Sequence, residues 1–249
     1  MADLPSPSTR PFFAEPNADN YCPCGPLEVA RVSVSRCVER GEGVAFVIGK
    51  TGCGKTLLAR VLGRQLRERG GLGSVLLLDS SAVTSVETFF QTVYSQLGWS
   101  LENLDENGLR LGLAKHLEIT SEGLVFLVDD AHRGTFEVFE ELRRLLDRGV
   151  RLVLIGNGAL EETFTNPALN PLSQRIAVRA FLEPLGREET KTFLREQYAR
   201  AGGDAKKVFL DKVCAEIHRL ADGVPRVINQ LADHVLFLAM SAKKNPLIG

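Results

Sequence analysis

No apolar run in this sequence approaches the ~18 residues that a membrane-crossing helix needs, so no transmembrane segment is expected. The stretch Met1 to Arg10 lacks the apolar core of a secretory leader. The five cysteines are an odd number without framework spacing, which fits a reducing, cytoplasmic setting rather than a disulfide scaffold. Cys22 and Cys24 flank Pro23, but no second Cys or His pair accompanies them, so an ordinary turn is the better reading than a zinc site. Neither charge is in excess. Thirty Lys and Arg against 31 Asp and Glu leave a formal net charge of −1, which argues against coating nucleic acid by bulk charge. There is no internal repeat. The 249 residues suffice for one α/β domain with a smaller one beside it.

Against these absences stands one complete string, Gly49-Lys50-Thr51-Gly52-Cys53-Gly54-Lys55-Thr56. It has the G-x-x-x-x-G-K-[ST] form of a phosphate-binding loop. An apolar run, Val44 to Ile48, precedes it, and an amphipathic helical pattern begins at Gly54. Glycines let the backbone wrap tightly, and the helix start aims unpaired N–H groups at an anion. Lys55 would reach the β- and γ-phosphates of ATP, and the Thr56 hydroxyl would coordinate Mg²⁺.

Residues 1–20, rich in Pro, Ser and Asn, read as a loosely packed arm. Helical spacing runs from Leu27 to Glu39. Leu57, Leu58, Val61, Leu62 and Leu66 line one face of the helix after the loop, with Arg60, Arg64 and Arg67 on the other, expected to be solvated. Ser74–Asp79 is a second strand. Thr84-Ser85-Val86-Glu87 is a capping-box pattern ahead of a helix through Leu97. Glu106–Glu118 is helical, Leu124–Val128 a strand, Thr135–Asp147 helical and Leu152–Ile155 a strand. Asn166-Pro167 and Asn170-Pro171 break the next helix, and Ile176–Leu182 is a last strand. Strands alternating with helices imply a mainly parallel five-stranded sheet of the P-loop NTPase class, over residues 21–184. From 185 to 249 the patterns are helical only: Glu188–Ala201, Lys206–Leu220 and Pro225 to about Ala242.

Asp129 ends the Leu124–Val128 strand, where a carboxylate completes a Mg²⁺ site. Asp130 comes next and can orient an attacking water, although its side chain is one methylene shorter than glutamate. His132 reads either as a polar relay or as a helix-entry histidine. Asn157 ends the next strand on the same sheet edge, as a γ-phosphate contact or as a turn residue between two glycines.

Together these features resemble an AAA+ ATPase. Within that class, several strings are similar to the ExeA-type ATPases of the general secretion pathway, over roughly residues 10–242. They are Val153-Leu154-Ile155-Gly156-Asn157, Leu172-Ser173-Gln174-Arg175-Ile176, the run Leu182 to Thr190, and Gly223-Val224-Pro225-Arg226-Val227-Ile228-Asn229. The resemblance implies that Asn157 is the sensor 1 residue and Arg226 the sensor 2 arginine of the lid. It also implies that Arg175 is a finger donated to a neighbouring subunit, with Arg179 as the alternative. By the same resemblance, a ring or other homo-oligomer is expected. The family usually has Glu where Asp130 stands, which bears on hydrolysis rate more than on ATP binding.

Three functions are then open. The first is an ATPase that remodels or assembles a partner protein complex, such as a membrane-associated secretion or surface-assembly system. The second is a DNA-directed regulator of the transposition ATPase type, with Arg60, Arg64, Arg67, Arg143, Arg144, Arg148 and Arg151 as a basic surface. The third is an ATP-binding switch with weak hydrolysis.

Overall fold

A computed structural model describes residues 10–102, 104–119 and 123–244. Five strands, β1 (Val44–Gly49), β2 (Ser74–Leu78), β3 (Leu124–Val128), β4 (Arg151–Gly156) and β5 (Ile176–Leu182), form one sheet in the order β2-β3-β4-β1-β5. Every neighbouring pair is parallel. Parallel strands need crossovers that lay helices on both faces. This is why β1 and β3 are apolar at successive positions and buried throughout. Side chains alternate between faces, so Val44, Phe46 and Ile48 enter one core with Phe89, Phe126 and Phe139. Ala45 and Val47 enter the other with Leu58, Leu62, Val125 and Leu127. β5 is one of the two edge strands, and its exposure largely alternates.

The crossover helices are α1 (Gly25–Arg40), α2 (Lys55–Arg69), α3 (Val86–Leu97), α4 (Glu106–Ile119), α5 (Phe136–Leu146), α6 (Gly158–Thr163) and α7 (Asn170–Ser173). The capping pattern expected at Thr84 is displaced by one residue. Thr84 donates its hydroxyl to the Ser81 carbonyl at 2.9 Å, closing the preceding turn. Ser85 caps α3 instead, accepting from the Thr88 N–H at 3.1 Å.

After β5 come α8 (Arg187–Arg200), α9 (Ala205–Val208), α10 (Asp211–Ala221) and α11 (Pro225–Lys244). The helix expected over Lys206–Leu220 is two helices. Phe209 and Leu210 leave helical geometry so that the Phe209 ring can enter the lid core, edge-on to Phe12 and Tyr198 at 5.4 and 5.3 Å.

The loose arm expected over residues 1–20 is packed over its described part, residues 10–20; residues 1–9 lie outside the description. Phe12 is 1% exposed in the lid core. Arg10 pairs with Asp233 at 2.6 Å, Asn229 donates to the Phe13 carbonyl at 2.8 Å, and Gln197 donates to the Asn20 carbonyl at 2.8 Å. From the other side, Arg64 pairs with Asp19 at 2.7 Å and Arg60 donates to the Pro16 carbonyl. Arg67 caps the Val75 carbonyl at 2.8 Å. The arginine face of α2 is exposed, as expected, and from that position it also holds the arm and β2.

Of the arm's contacts, burial of an aromatic ring outweighs an exposed ion pair that water and salt screen. Phe12→Ala should cost about 3–5 kcal/mol of lid stability. Arg10→Ala should change the urea midpoint little. Equal midpoints for Phe12→Ala and the parent would show that the arm does not anchor the lid.

Candidate nucleotide site

The phosphate loop leaves β1 at a place where no larger residue fits. A Cβ on Gly49 would stand 2.7 Å from Leu182 Cβ, and Gly52 and Gly54 take φ of 86° and 96°, which glycine adopts without strain. Cys53 turns inward beneath the loop and is buried, which pushes its thiol pKa up. Lys55 opens α2, and its ammonium bridges the Gly49 and Lys50 carbonyls at 2.9 and 3.1 Å. The lysine thus lies across its own loop, beside the free N–H groups of the α2 N-terminus.

β3 brings the acidic pair to the same edge. The Asp129 N–H donates to the Leu78 carbonyl at 2.8 Å, and the residue is 8% exposed. Desolvation raises its pKa, while hydrogen bonds from the Thr56 hydroxyl and the Asp130 N–H, the latter at 3.0 Å, act the other way. Asp130 adopts the left-handed conformation, φ 51° and ψ 36°, which an L-residue takes at a cost, and its side chain is 41% exposed. His132 Nδ1 lies 4.0 Å from Asp130 Oδ1, is itself buried, and has no hydrogen-bond partner. The two residues are thus brought together.

Asn157 follows β4 and is the N-cap of α6. Its Oδ1 accepts from the Ala159 N–H at 3.0 Å, capping α6, and the residue lines the same cleft as Lys55, Thr56 and Asp130. From the lid, the Arg226 N–H donates to the Gly52 carbonyl at 3.2 Å, and Val224 fills the space a Gly52 side chain would need. The exposed Arg226 side chain faces the cleft. Arg175 and Arg179 do not line it. Arg175 pairs with Asp147 at the end of α5, and Arg179 lies 5.2 Å from the Phe46 ring centre and 4.0 Å from Glu161.

The cleft holds about 430 Å³, the size range of a small-molecule site. Its far wall was not foreseen from sequence. Phe13, Asn17 and Asn20 come from the arm, Cys24 from the start of α1, Gln197 from α8 and Asn229 from α11. The Asn229 Oδ1 is buried without a partner. Asn229 stood within the lid string of the resemblance, whereas the arm offered only turn-rich composition. Cys22 and Cys24 form a tight turn, with the Cys24 N–H donating to the Cys22 carbonyl at 2.9 Å and the Cys22 thiol donating to Glu196 at 3.2 Å. No cluster of His, Cys, Asp and Glu able to hold a metal occurs among the described residues.

Asp129 has a folded-state pKa above its unfolded value, so its ionised form costs the native state stability above that range. Asp129→Asn keeps an oxygen for Thr56 and removes the charge. It should raise the nucleotide-free melting temperature at neutral pH; a lower melting temperature would mean that the carboxylate stabilises the fold.

A family model described as an AAA domain matches residues 38–164. General secretion pathway protein A of Aeromonas hydrophila is 27% identical over 252 residues, covering 97% of this chain and 45% of that protein. The chain therefore spans less than half of that relative's length. Among solved structures, the Aeropyrum pernix ORC2 protein in its ADPNP–ADP complexes has a TM-score of 0.60 at 17% identity, over 90% of this chain and 63% of that one. Cdc6p from Pyrobaculum aerophilum has 0.65 at 15%, over 88% and 62%. The Thermotoga maritima RuvB Holliday junction branch migration motor has 0.54 at 16%, over 92% and 67%. At these identities the structures share the fold. No helix among the described residues is long and apolar enough to cross a membrane. The resemblance to the ExeA-type secretion ATPases extends over almost the whole chain, and a family match running from α1 through the phosphate loop, Asp129 and Asn157 makes this chain a member of the AAA domain family.

Proposed function

We propose that the chain binds ATP with Mg²⁺ in this cleft, hydrolyses it, and uses the nucleotide state to remodel or assemble a partner protein complex. The observation that carries the reading is convergence. Lys55, Thr56, Asp130, Asn157 and Arg226 come from four different elements or their ends, and all line one cleft. The α2 N-terminus and Lys55 would hold the β- and γ-phosphates. Mg²⁺ fits the donor set, because Thr56 and the buried Asp129 are hydrogen-bonded hard oxygen donors. When bound, the ion neutralises charge on the phosphates. Asp130 would hold the attacking water. Its oxygen bonds to the γ-phosphorus as the β–γ bridging bond breaks, the electron pair leaves on ADP, and the water proton passes toward Asp130. Asn157 and Arg226 would bind the terminal phosphate.

Lys55→Ala should abolish nucleotide binding without unfolding the protein, since the hydrogen bonds of the Lys55 ammonium among the described residues go to the loop carbonyls of Gly49 and Lys50 and not to the core. Unchanged affinity by calorimetry would sink the assignment. Asp130→Asn should keep binding and lose hydrolysis, while Asp130→Glu should raise turnover if the short side chain limits the rate. Turnover unchanged in both variants would remove Asp130 as the water-holding group.

The secretion reading draws on General secretion pathway protein A, and a membrane-associated partner reached from the cytoplasm would suit it. The DNA-directed reading draws on fold neighbours such as the Aeropyrum pernix ORC1 protein in complex with DNA. Side-chain pairing favours the first. Arg143 pairs with Glu140 and Asp147, Arg144 with Glu141 and Arg148 with Glu118, so much of the expected basic surface is neutralised. Salt-dependent retention on DNA would reverse that preference.

Arg175 as a finger requires a neighbouring subunit, and its position away from its own cleft suits that role. Arg175→Ala should keep ATP affinity and lose most turnover, on the order of 10³-fold or more. Mixing it with Lys55→Ala should restore part of the activity. A fully active Arg175→Ala, with turnover independent of protein concentration, would favour a monomeric switch.

A further inference from the structure

Arg133 stands in the same cleft, on the turn just after the acidic pair. Its backbone is fixed. The Arg133 N–H donates to the Asp130 carbonyl at 3.0 Å, the Gly134 N–H donates to the Ala131 carbonyl at 2.9 Å, and Ala131 is fully buried. Gly134 sits so close to Phe139 that an added Cβ would lie 2.9 Å from its ring. A fixed turn therefore places an exposed arginine on the wall of the cleft.

Most arginines here are committed to the fold. Arg31 pairs with Glu28, Arg64 with Asp19, Arg110 with Glu141 and Arg195 with Asp211. Two arginines line the cleft, Arg133 and Arg226, and neither has an ion pair among the described residues. Charge at the phosphate end makes this matter. Asp129 and Asp130 oppose Lys55 and Arg226, which leaves those four groups balanced toward an incoming anion. A triphosphate remains a net anion even with its cation bound, so a further positive group is what the balance lacks. Arg133 is that group by position, and its planar fork matches two phosphate oxygens at once.

We propose that Arg133 is a substrate-binding residue that clamps the terminal phosphate from within its own chain, so that the cleft distinguishes a triphosphate from a diphosphate. This rests on the nucleotide reading above and assigns to that site a residue that neither the loop pattern nor the lid resemblance contained. The terminal phosphate is the target because Arg133 lies just beyond Asp130, whose water must lie beyond the γ-phosphorus. On that reading the α2 N-terminus and Lys55 would hold the β-phosphate and reach one side of the γ-phosphate, leaving its far side to Arg133.

The test is calorimetric titration of Arg133→Ala and Arg133→Lys with ADP and with a non-hydrolysable ATP analogue, both with Mg²⁺, at two protein concentrations. Loss of a charge-assisted bidentate contact should weaken the triphosphate analogue by about tenfold to a hundredfold in Arg133→Ala and leave ADP affinity unchanged. Arg133→Lys should fall between. The nucleotide-free melting temperature should not move, since the side chain has no ion-pair partner to lose. Equal weakening of both nucleotides, no weakening of either, or a loss confined to the higher protein concentration would overturn the proposal. Failure of the parent protein to bind either nucleotide would instead remove the nucleotide reading beneath it.

Discussion

Parallel strands that are apolar on both faces leave polar chemistry little room except at their ends. β1 is buried along its whole length between β4 and β5, and β3 is buried between β2 and β4. Beyond the carboxyl edge, β1 reaches α2 through a short loop, β3 runs into a 3-10 turn at Ala131–Arg133, and β4 runs into α6. Those turns carry the phosphate loop after β1, Asp129 and Asp130 after β3, and Asn157 after β4. The registers Ile48 with Gly156 and Val128 with Leu154 bring the three strand ends side by side. The order β2-β3-β4-β1-β5 sets the crevice where the chain leaves β1 and crosses beyond β4 and β3 to build β2. This is the place where open α/β sheets bind ligands. The site is thus a consequence of how the sheet is buried.

That same burial explains why most of the core was legible from sequence. Continuous apolar runs such as Leu124–Val128 have one packing solution, a central parallel strand, and the glycine-punctuated loop has one backbone path. Legibility failed where local signals competed. Thr84 and Ser85 are both good caps, and which one served was decided by the turn that consumed the Thr84 hydroxyl. The helical pattern from Lys206 is unbroken in sequence, yet it breaks because Phe209 gains more from the lid core than the backbone gains from another turn. The arm's composition is that of a loop, and tertiary contacts fix it, with Phe12 in the lid core and polar ties at Arg10, Phe13, Asp19 and Asn20. The candidate site divides the same way. Residues on strand ends and the loop were readable from pattern, whereas Phe13, Gln197 and Arg133 enter the cleft through packing that no local spacing encodes.

The lid is tied to the core at few points, and those points border the cleft. The Arg226 N–H reaches the Gly52 carbonyl inside the phosphate loop, and Val224 stands against Gly52. The arm adds a second tie, since its residues 10–20 contact α2 on one side and α8 and α11 on the other. A ligand can shift the lid only through contacts that differ between its two positions. Both ties pass beside the groups that would touch the phosphates and the far end of the cleft. Under the proposed reading, a nucleotide in the cleft would lie beside the atoms that tie the lid, and no long relay would be needed.

Charge placement adds the last constraint. The chain is nearly neutral, and its arginines are used as fasteners: Glu141, buried, is held by Arg110 and Arg144 at 2.9 and 2.8 Å. A buried carboxylate needs such partners, because an unpaired one would protonate or destabilise the fold. Asp129 is the exception. It is buried without an ion pair among the described residues, its pKa is raised by desolvation, and its nearest supports are the Thr56 hydroxyl and one backbone N–H. A fold that satisfies Glu141 with two guanidinium groups had the means to satisfy Asp129 as well. Leaving that carboxylate short of positive charge, next to a hydroxyl at the start of α2, costs stability in the empty protein. Under the proposed nucleotide reading, the same carboxylate would gain when a cation arrives with its ligand.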